Sequence, residues 1–292
     1  MMTSETTEPA EPDAQEPVVI VTGTSTGIGL ATAVSAAVAG WRVIATVRRP
    51  GSEQELLAAA GIAGVELDVR LLDVTDARAS AALVADVVSV YGRLDAVVNN
   101  AGAGHVGTLE TDTLEAIREV MEVNYFGVVN VSKPSMEPLR ASRGILITVT
   151  SVGGIVGQPF NESYCAAKFA VEGLMESLHP VAAAVGVRVV VVEPGAVATS
   201  FVASVRATSD ADSLAGAVYS EAFDHYIERT GTSFANAQQP QGVADVIVSA
   251  MTADAVPFRL QSSDGATAFV GAKLRDLDGS VVTGLTSTWV AP

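Results

Sequence analysis

Tyr164 and Lys168 lie four residues apart in the stretch Ser163-Tyr164-Cys165-Ala166-Ala167-Lys168. On a helix that spacing puts both side chains on one face. A phenol at its ordinary pKa of about 10 is a poor acid-base group at neutral pH. A neighbouring ammonium, together with the positive ring of a bound oxidised cofactor, favours the tyrosinate and predicts a lowered pKa for Tyr164. A phenol tuned this way can give a proton to a developing alkoxide and take it back in reverse. Ser151 precedes the tyrosine by 13 positions, in Thr150-Ser151-Val152-Gly153-Gly154. Its hydroxyl can hydrogen-bond a substrate oxygen and stabilise charge there. Asn124, in Val123-Asn124-Tyr125-Phe126-Gly127, falls in a helical stretch. Asparagine is unfavourable there, which marks it for a special role. Cys165 reads as a small packing residue, because no histidine is near it in sequence to activate a thiolate. His105, in Gly102-Ala103-Gly104-His105, is placed to border a substrate.

A second constellation lies upstream. The apolar run Val18-Val19-Ile20-Val21 leads into Thr22-Gly23-Thr24-Ser25-Thr26-Gly27-Ile28-Gly29. Gly23 permits a tight turn, while Gly27 and Gly29 let backbone approach a pyrophosphate and let a helix pack on the sheet. The helix beginning near Gly27 offers N–H donors and a positive dipole end to phosphates. In this strand–turn–helix setting the glycines predict dinucleotide binding.

The elements that must carry these residues follow from hydrophobic pattern. Short apolar runs recur at Trp41–Val47, Val69–Leu72, Ala96–Val98, Gly144–Val149 and Val187–Val192, with a seventh near Pro257–Leu260. Runs apolar on both faces and spaced by Ala-rich helical stretches imply a parallel sheet covered on both sides. The predicted fold is α/β: a Rossmann-type doubly wound parallel sheet of about seven strands, with right-handed crossovers. Met1 to Glu16 is acidic and proline-bearing and reads as a disordered tail. Residues 17–260 read as one catalytic domain, with a long apolar connection at 199–240 that predicts a substrate lid. For the extension at 261–292 three roles stay open: covering the substrate mouth, packing on a neighbouring subunit, or simple elongation. Its stretch Ser280–Thr286 alternates weakly.

The net charge of −16 argues against nucleic acid and anionic membranes as partners. The one cysteine excludes an internal disulfide, and the separated His105, His179 and His225 suggest no metal site. No basic residue precedes Arg42, so neither a secretory signal nor a transit peptide is expected. No apolar run reaches about 18 residues, so no spanning helix is expected and the location is expected to be cytoplasmic.

Together the glycine turn, Asn124, Ser151, Tyr164, Lys168 and Pro194-Gly195 resemble the short-chain dehydrogenase/reductase family. The family pattern TGxxxGxG is matched without departure, and the resemblance runs over roughly Pro17 to Leu260. It implies an oxidoreductase with a catalytic tetrad of Asn124, Ser151, Tyr164 and Lys168. In the family, Asn124 anchors a water that relays protons to Lys168, and Lys168 also holds the nicotinamide ribose. Cofactor contacts are implied for Gly23, Ser25, Thr26, Gly27, Ile28 and Gly29. Asp73 contacts adenine and Val74 supplies backbone by resemblance, although Asp73 can also cap a helix starting near Thr75. Asn100, Ala101 and Gly102 line the ribose side. Pro194, Gly195, Val197 and Thr199 resemble the family's PGxVxT stretch, which holds the carboxamide.

Where NAD-binding folds place an acidic residue, about 20 residues after the glycines, this chain has Thr46-Val47-Arg48-Arg49. A guanidinium grips a 2′-phosphate that a carboxylate would repel. NADP(H) is therefore expected over NAD(H), with Arg48 as main selector and Arg49 as a second; NAD(H) stays possible. The Thr-Val-Arg ending and the apolar 199–240 segment look like the steroid- and retinoid-type subgroup. A bulky hydrophobic carbonyl or alcohol is the expected substrate, and a homodimer or homotetramer is implied by resemblance. Competing readings are a non-catalytic NADP(H) sensor or scaffold, an NAD-dependent alcohol dehydrogenase, and an epimerase or dehydratase. The intact Ser151, Tyr164 and Lys168 speak against the sensor, and the glycine spacing speaks against the epimerase.

Overall fold

The computed structural model describes residues 16–199, 218–235 and 237–290. The predicted N-terminal tail, apart from Glu16, lies outside the described residues, as do residues 200–217 and 236 of the predicted lid.

Seven strands form one sheet: β1 (Val18–Val21), β2 (Arg42–Val47), β3 (Asp68–Leu71), β4 (Ala96–Asn99), β5 (Ile145–Val149), β6 (Arg188–Glu193) and β7 (Arg259–Gln261). Their order is β3-β2-β1-β4-β5-β6-β7, and every pairing is parallel. The bounds lie within two residues of the apolar runs, because β-branched side chains that suit a pleated surface also mark its extent.

Alternation along each strand divides the core. Val18 and Ile20 of β1 face one cluster, together with Val97 and Leu146. Helices α3 (Ala77–Tyr91), α5 (Gly127–Ser142) and α6 (Glu162–Ala183) cover that face through residues such as Val84, Val131 and Met175. Val19 and Val21 face the other cluster. There α1 (Gly27–Val38), α2 (Gln54–Ala63) and α8 (Pro240–Thr252) pack with Ala33, Leu56 and Ile247. Each fully buried Val, Leu or Ile contributes about 1.5–3 kcal/mol of apolar burial.

Four further segments shape the upper edge. These are α4 (Leu114–Met121), a π-helical turn at Glu122–Phe126, a 3-10 turn at Val152–Gly154, and α7 (Ser220–Ala235). The chain ends in α9 (Asp264–Leu274) and α10 (Ser280–Ser287). The stretch Ser280–Thr286 is thus helical rather than alternating, with Val282 and Thr286 buried one turn apart. Asp73 does not cap a helix. Asp76 does, accepting from the N–H groups of Arg78 and Ala79, so α3 starts two residues later than expected. Asp73 instead closes a local turn on the N–H and hydroxyl of Thr75. Among the described residues, no helix is long and apolar enough to cross a membrane.

Candidate active site

The strand order reverses between β1 and β4, and the crevice at such a switch point is where open α/β sheets place ligands. Here the loops after both strands are tied together. Thr22 Oγ1 accepts from the N–H groups of Asn100 and Ala101 at 3.0 Å each. Asn100 Nδ2 donates to the carbonyls of Thr22 and Gly23. The three glycines allow this closure. Gly23 and Gly27 have φ of 69° and 62°, a region that costs other residues strain. A Cβ on Gly23 would lie 2.8 Å from Ala101 Cα, and one on Gly27 would lie 2.9 Å from the Thr199 methyl. One on Gly29 would sit 2.2 Å from the Gly23 carbonyl oxygen. Glycine therefore draws the β1, β4 and β6 loops into a single cradle beneath the N-terminus of α1. Ser25, Thr26 and Ile28 are half-buried on its rim. The Thr26 side chain does not cap α1, so it leaves the helix's positive end to an anion. The cradle fits the phosphates of a dinucleotide.

Arg48 and Arg49 are exposed at the end of β2. Asp73, beyond β3, has its carboxyl held below the usual range, chiefly by the Thr75 N–H and with help from the Arg48 charge. Arg48 therefore faces the β3 loop. Val74 is buried against Gly127, and its carbonyl accepts from Asn130 Nδ2. On the far side, Val197 pairs with Gln238. The Pro194 carbonyl accepts from the Val152 N–H at 3.0 Å, which ties the β6 loop to the turn carrying Ser151.

The structure brings Asn124, Ser151, Tyr164 and Lys168 to this edge. Ser151 caps the 3-10 turn, its Oγ accepting from the Gly153 N–H, and it hydrogen-bonds Tyr164. Lys168, 5% exposed, donates from Nζ to the Val149 carbonyl at 3.1 Å. Its Nζ lies 5.8 Å from the Tyr164 ring centroid. Burial pulls Lys168 down to about 8, opposed by the charge of Glu172. A Cβ on Gly102 would come 3.0 Å from Asn124 Oδ1 and 3.6 Å from Lys168 Nζ, so the Gly102 backbone passes between these two residues. Asn124 sits in the π-helical turn, not in a regular helix. It exchanges hydrogen bonds with the Ala103 backbone and donates to the Val120 carbonyl. The lowered Tyr164 pKa expected from sequence belongs to the complex with oxidised cofactor; in the protein alone the shift is upward. Burial pushes the phenol well up, and only the Ser151 hydrogen bond offsets it. The ammonium is occupied by Val149, and desolvation of the ring side wins.

Sequence reasoning named His105 but missed its partner Asp112, and it missed a second group entirely. His105 Nε2 pairs with Asp112 Oδ2 at 2.8 Å, and the Ser163 hydroxyl donates to the same oxygen. The pair ties the β4 loop to the start of α6. Beneath Lys168, Thr150, Glu172, Glu193 and Arg259 form a buried polar cluster. Only Glu172 carried a sequence signal, four residues beyond Lys168. Cys165 is buried, and burial pushes its thiol up to about 11, which leaves it unreactive. An apolar cluster of Val106, Phe160, Phe223 and Tyr226 joins α7 to the body. Among the described residues, no cluster of His, Cys, Asp and Glu could hold a metal ion.

Comparison with known proteins agrees with this geometry. The profile of the short chain dehydrogenase family matches residues 17–210. The 17-beta-hydroxysteroid dehydrogenase type 1 of Mus musculus is 35% identical over 271 residues, covering 90% of this chain and 78% of that protein. Retinol dehydrogenase 8 of Bos taurus is 36% identical over 274 residues, covering 90% and 86%. Among solved structures, a variant of actinorhodin polyketide ketoreductase with NADPH is 30% identical with a TM-score of 0.74, covering 86% of this chain and 97% of that one.

Proposed function

The chain is an oxidoreductase that belongs to the short-chain dehydrogenase/reductase family, in its steroid- and retinol-dehydrogenase-like subgroup, and from that premise we propose that it reduces a bulky hydrophobic ketone or aldehyde with NADPH. The observation that carries this reading is the Tyr164 phenol, kept protonated by burial, hydrogen-bonded to Ser151 and flanked by the Lys168 amine.

Ser151 polarises the substrate oxygen and stabilises the negative charge that grows on it. Tyr164 hands its proton to that oxygen. Lys168 offsets the charge left on the phenolate and holds ribose hydroxyls. Asn124 holds the Ala103 backbone of the β4 loop beside this group. Bound NADPH supplies the hydride. Gly23, Ser25, Thr26, Gly27, Ile28 and Gly29 would hold its pyrophosphate. Asp73 and Val74 would meet adenine, and Asn100, Ala101 and Gly102 the ribose. Pro194, Gly195, Val197 and Thr199 would meet the carboxamide. The residues Val106, Phe160, Phe223 and Tyr226 supply the apolar side of the substrate site, consistent with relatives named for steroids and retinol. A homodimer or homotetramer is part of the same reading.

The test is NADPH consumption against carbonyls from small aldehydes to steroid-sized ketones. Turnover should rise with substrate size and fall at least 10²-fold, in order of magnitude, in Tyr164→Phe. Tight NADPH binding with no turnover on any carbonyl would instead favour a sensor on the same fold. Cofactor choice has its own test. Arg48→Ala should weaken NADPH by about 1.5–3 kcal/mol, the loss of a charge-assisted contact, and leave NADH nearly untouched. Equal losses for both cofactors would remove Arg48 as the selector.

A further inference from the structure

Glu172 lies one helical turn beyond Lys168 on α6 and is 3% exposed. Its surroundings come from every element packed on it. Thr150 follows β5, Glu193 ends β6, Arg259 begins β7, Gly154 belongs to the turn after Ser151, and Lys168 and Glu176 flank it on α6. The charged groups among these are Glu193, Arg259, Glu176 and Lys168.

If every carboxyl is ionised, the one guanidinium of this cluster faces three carboxylates. The Thr150 hydroxyl stands 2.5 Å from Glu172 Oε1 and 3.1 Å from the Val192 carbonyl oxygen. The Thr150 N–H already donates to the Val192 carbonyl at 2.8 Å, so the hydroxyl either donates to a Glu172 carboxylate or accepts from a Glu172 carboxyl. A proton on Glu172 lets the hydroxyl serve both contacts: the carboxyl donates to Thr150, and Thr150 donates to Val192. Charge counting agrees. Arg259 Nε lies 3.5 Å from Glu172 Oε2 and 3.2 Å from Glu193 Oε1, yet its hydrogen points squarely at neither, and all three atoms lack a hydrogen-bond partner. The same guanidinium also pairs with Glu176 at the surface. One cation thus faces two buried carboxylates and an exposed one, and an unpaired buried charge is costly.

We propose that Glu172 is a proton-holding positioning residue: it carries the proton that completes the Thr150 network, and its ionisation sets the charge on Lys168 one turn away. The inference rests on the reductase reading for its catalytic consequence alone. Burial also raises the Glu172 carboxyl, to about 7, with the Glu193 charge adding to the rise. When Glu172 loses its proton, its negative charge holds Lys168 as the ammonium to higher pH, which preserves the cation that the Tyr164 phenolate needs.

The chain has three lysines, Lys133, Lys168 and Lys273, so the Lys168 amine is accessible to NMR with ¹³C-lysine labelling. In Glu172→Gln, the Lys168 titration midpoint should fall by about one pH unit relative to the native protein. The basic limb of kcat/KM for carbonyl reduction should move down with it. In the native protein alone, infrared difference spectra at about pH 6 should contain a protonated carboxyl, well above the ordinary Glu value of about 4.3. An unmoved Lys168 midpoint, a missing carboxyl band, or a pH profile that stays put while Lys168 shifts would each overturn the proposal. A shifted Lys168 midpoint in a protein that reduces no carbonyl would count against the reductase reading instead and leave the charge coupling standing.

Discussion

Burial acts on Tyr164 and Lys168 in opposite senses: it keeps the phenol proton in place for a reduction and loosens the proton of the amine. The phenol is held protonated, while the amine is pulled down to about 8 from the ordinary lysine value of 10.5. The amine's shift has a consequence for stability that needs no substrate. Between pH 8 and 10.5 the unfolded chain still binds the Lys168 proton and the folded chain has released it. Stability rises with pH wherever the unfolded state binds more protons. The native protein should therefore gain stability relative to Lys168→Met across that window, in denaturant melts run at each pH. A constant gap would mean that the amine is not desolvated as the structure has it. At this scale the sequence was most readable where the chemistry is local. Tyr164 and Lys168 declare themselves by a four-residue spacing, and Ser151 by its place after an apolar run. Thr150, Glu193 and Arg259 did not, because they converge on Glu172 from three different strand ends, and no spacing along the chain encodes that meeting.

Elements bring these groups together through glycines whose roles differ. Gly29 is fixed by backbone: a Cβ would lie 2.2 Å from the Gly23 carbonyl oxygen and 2.4 Å from Asn100 Nδ2. Neither can retreat without opening the β1–β4 cradle. Gly29→Ala should lower the thermal midpoint and weaken dinucleotide binding together. Gly173, exposed in α6, has nothing within 4 Å of its Cβ position. Gly173→Ala should stabilise the protein by about 0.5–1 kcal/mol, the helix-interior difference between these residues, with dinucleotide affinity unchanged. If the two variants behaved alike in calorimetry and binding, crowding at Gly29 would not be what glycine serves there. Element boundaries were legible where burial marks both ends, as in the seven strands. They were less so at Asp73-Val74-Thr75-Asp76, where two aspartates can each cap and only the packing of Val74 on Gly127 decides between them. The π-helical turn around Asn124 was legible only in part: an asparagine unfavourable in a helix marks a special role, but nothing in its spacing shows the wider turn.

For the molecule as a whole, the C-terminal extension is where sequence said least and the fold adds most. Ala266, Val270 and Val282 pack on Val152, Ile155 and Val156, the segment directly after Ser151. Further on, Trp289 stacks on Phe269 at 5.9 Å between ring centroids and lies under the Arg229 guanidinium of α7. Val290 then packs against the cluster of Val106, Phe160, Phe223 and Tyr226. The extension thus spans from the Ser151 turn to α7. No periodic signal announced this, because its contacts are few, widely spaced and made to elements far away in sequence. Of the three roles open from sequence, covering the substrate mouth is the one these contacts favour. Trp289→Ala removes a stacking and cation–π anchor worth about 1–2 kcal/mol, while leaving the glycine cradle untouched. It should raise KM for a bulky carbonyl several-fold, leave NADPH affinity as it was, and barely alter the rate with a small aldehyde that never reaches α7. A uniform fall in kcat for large and small substrates alike would assign the extension to holding the Ser151 turn, with no part in shaping the mouth.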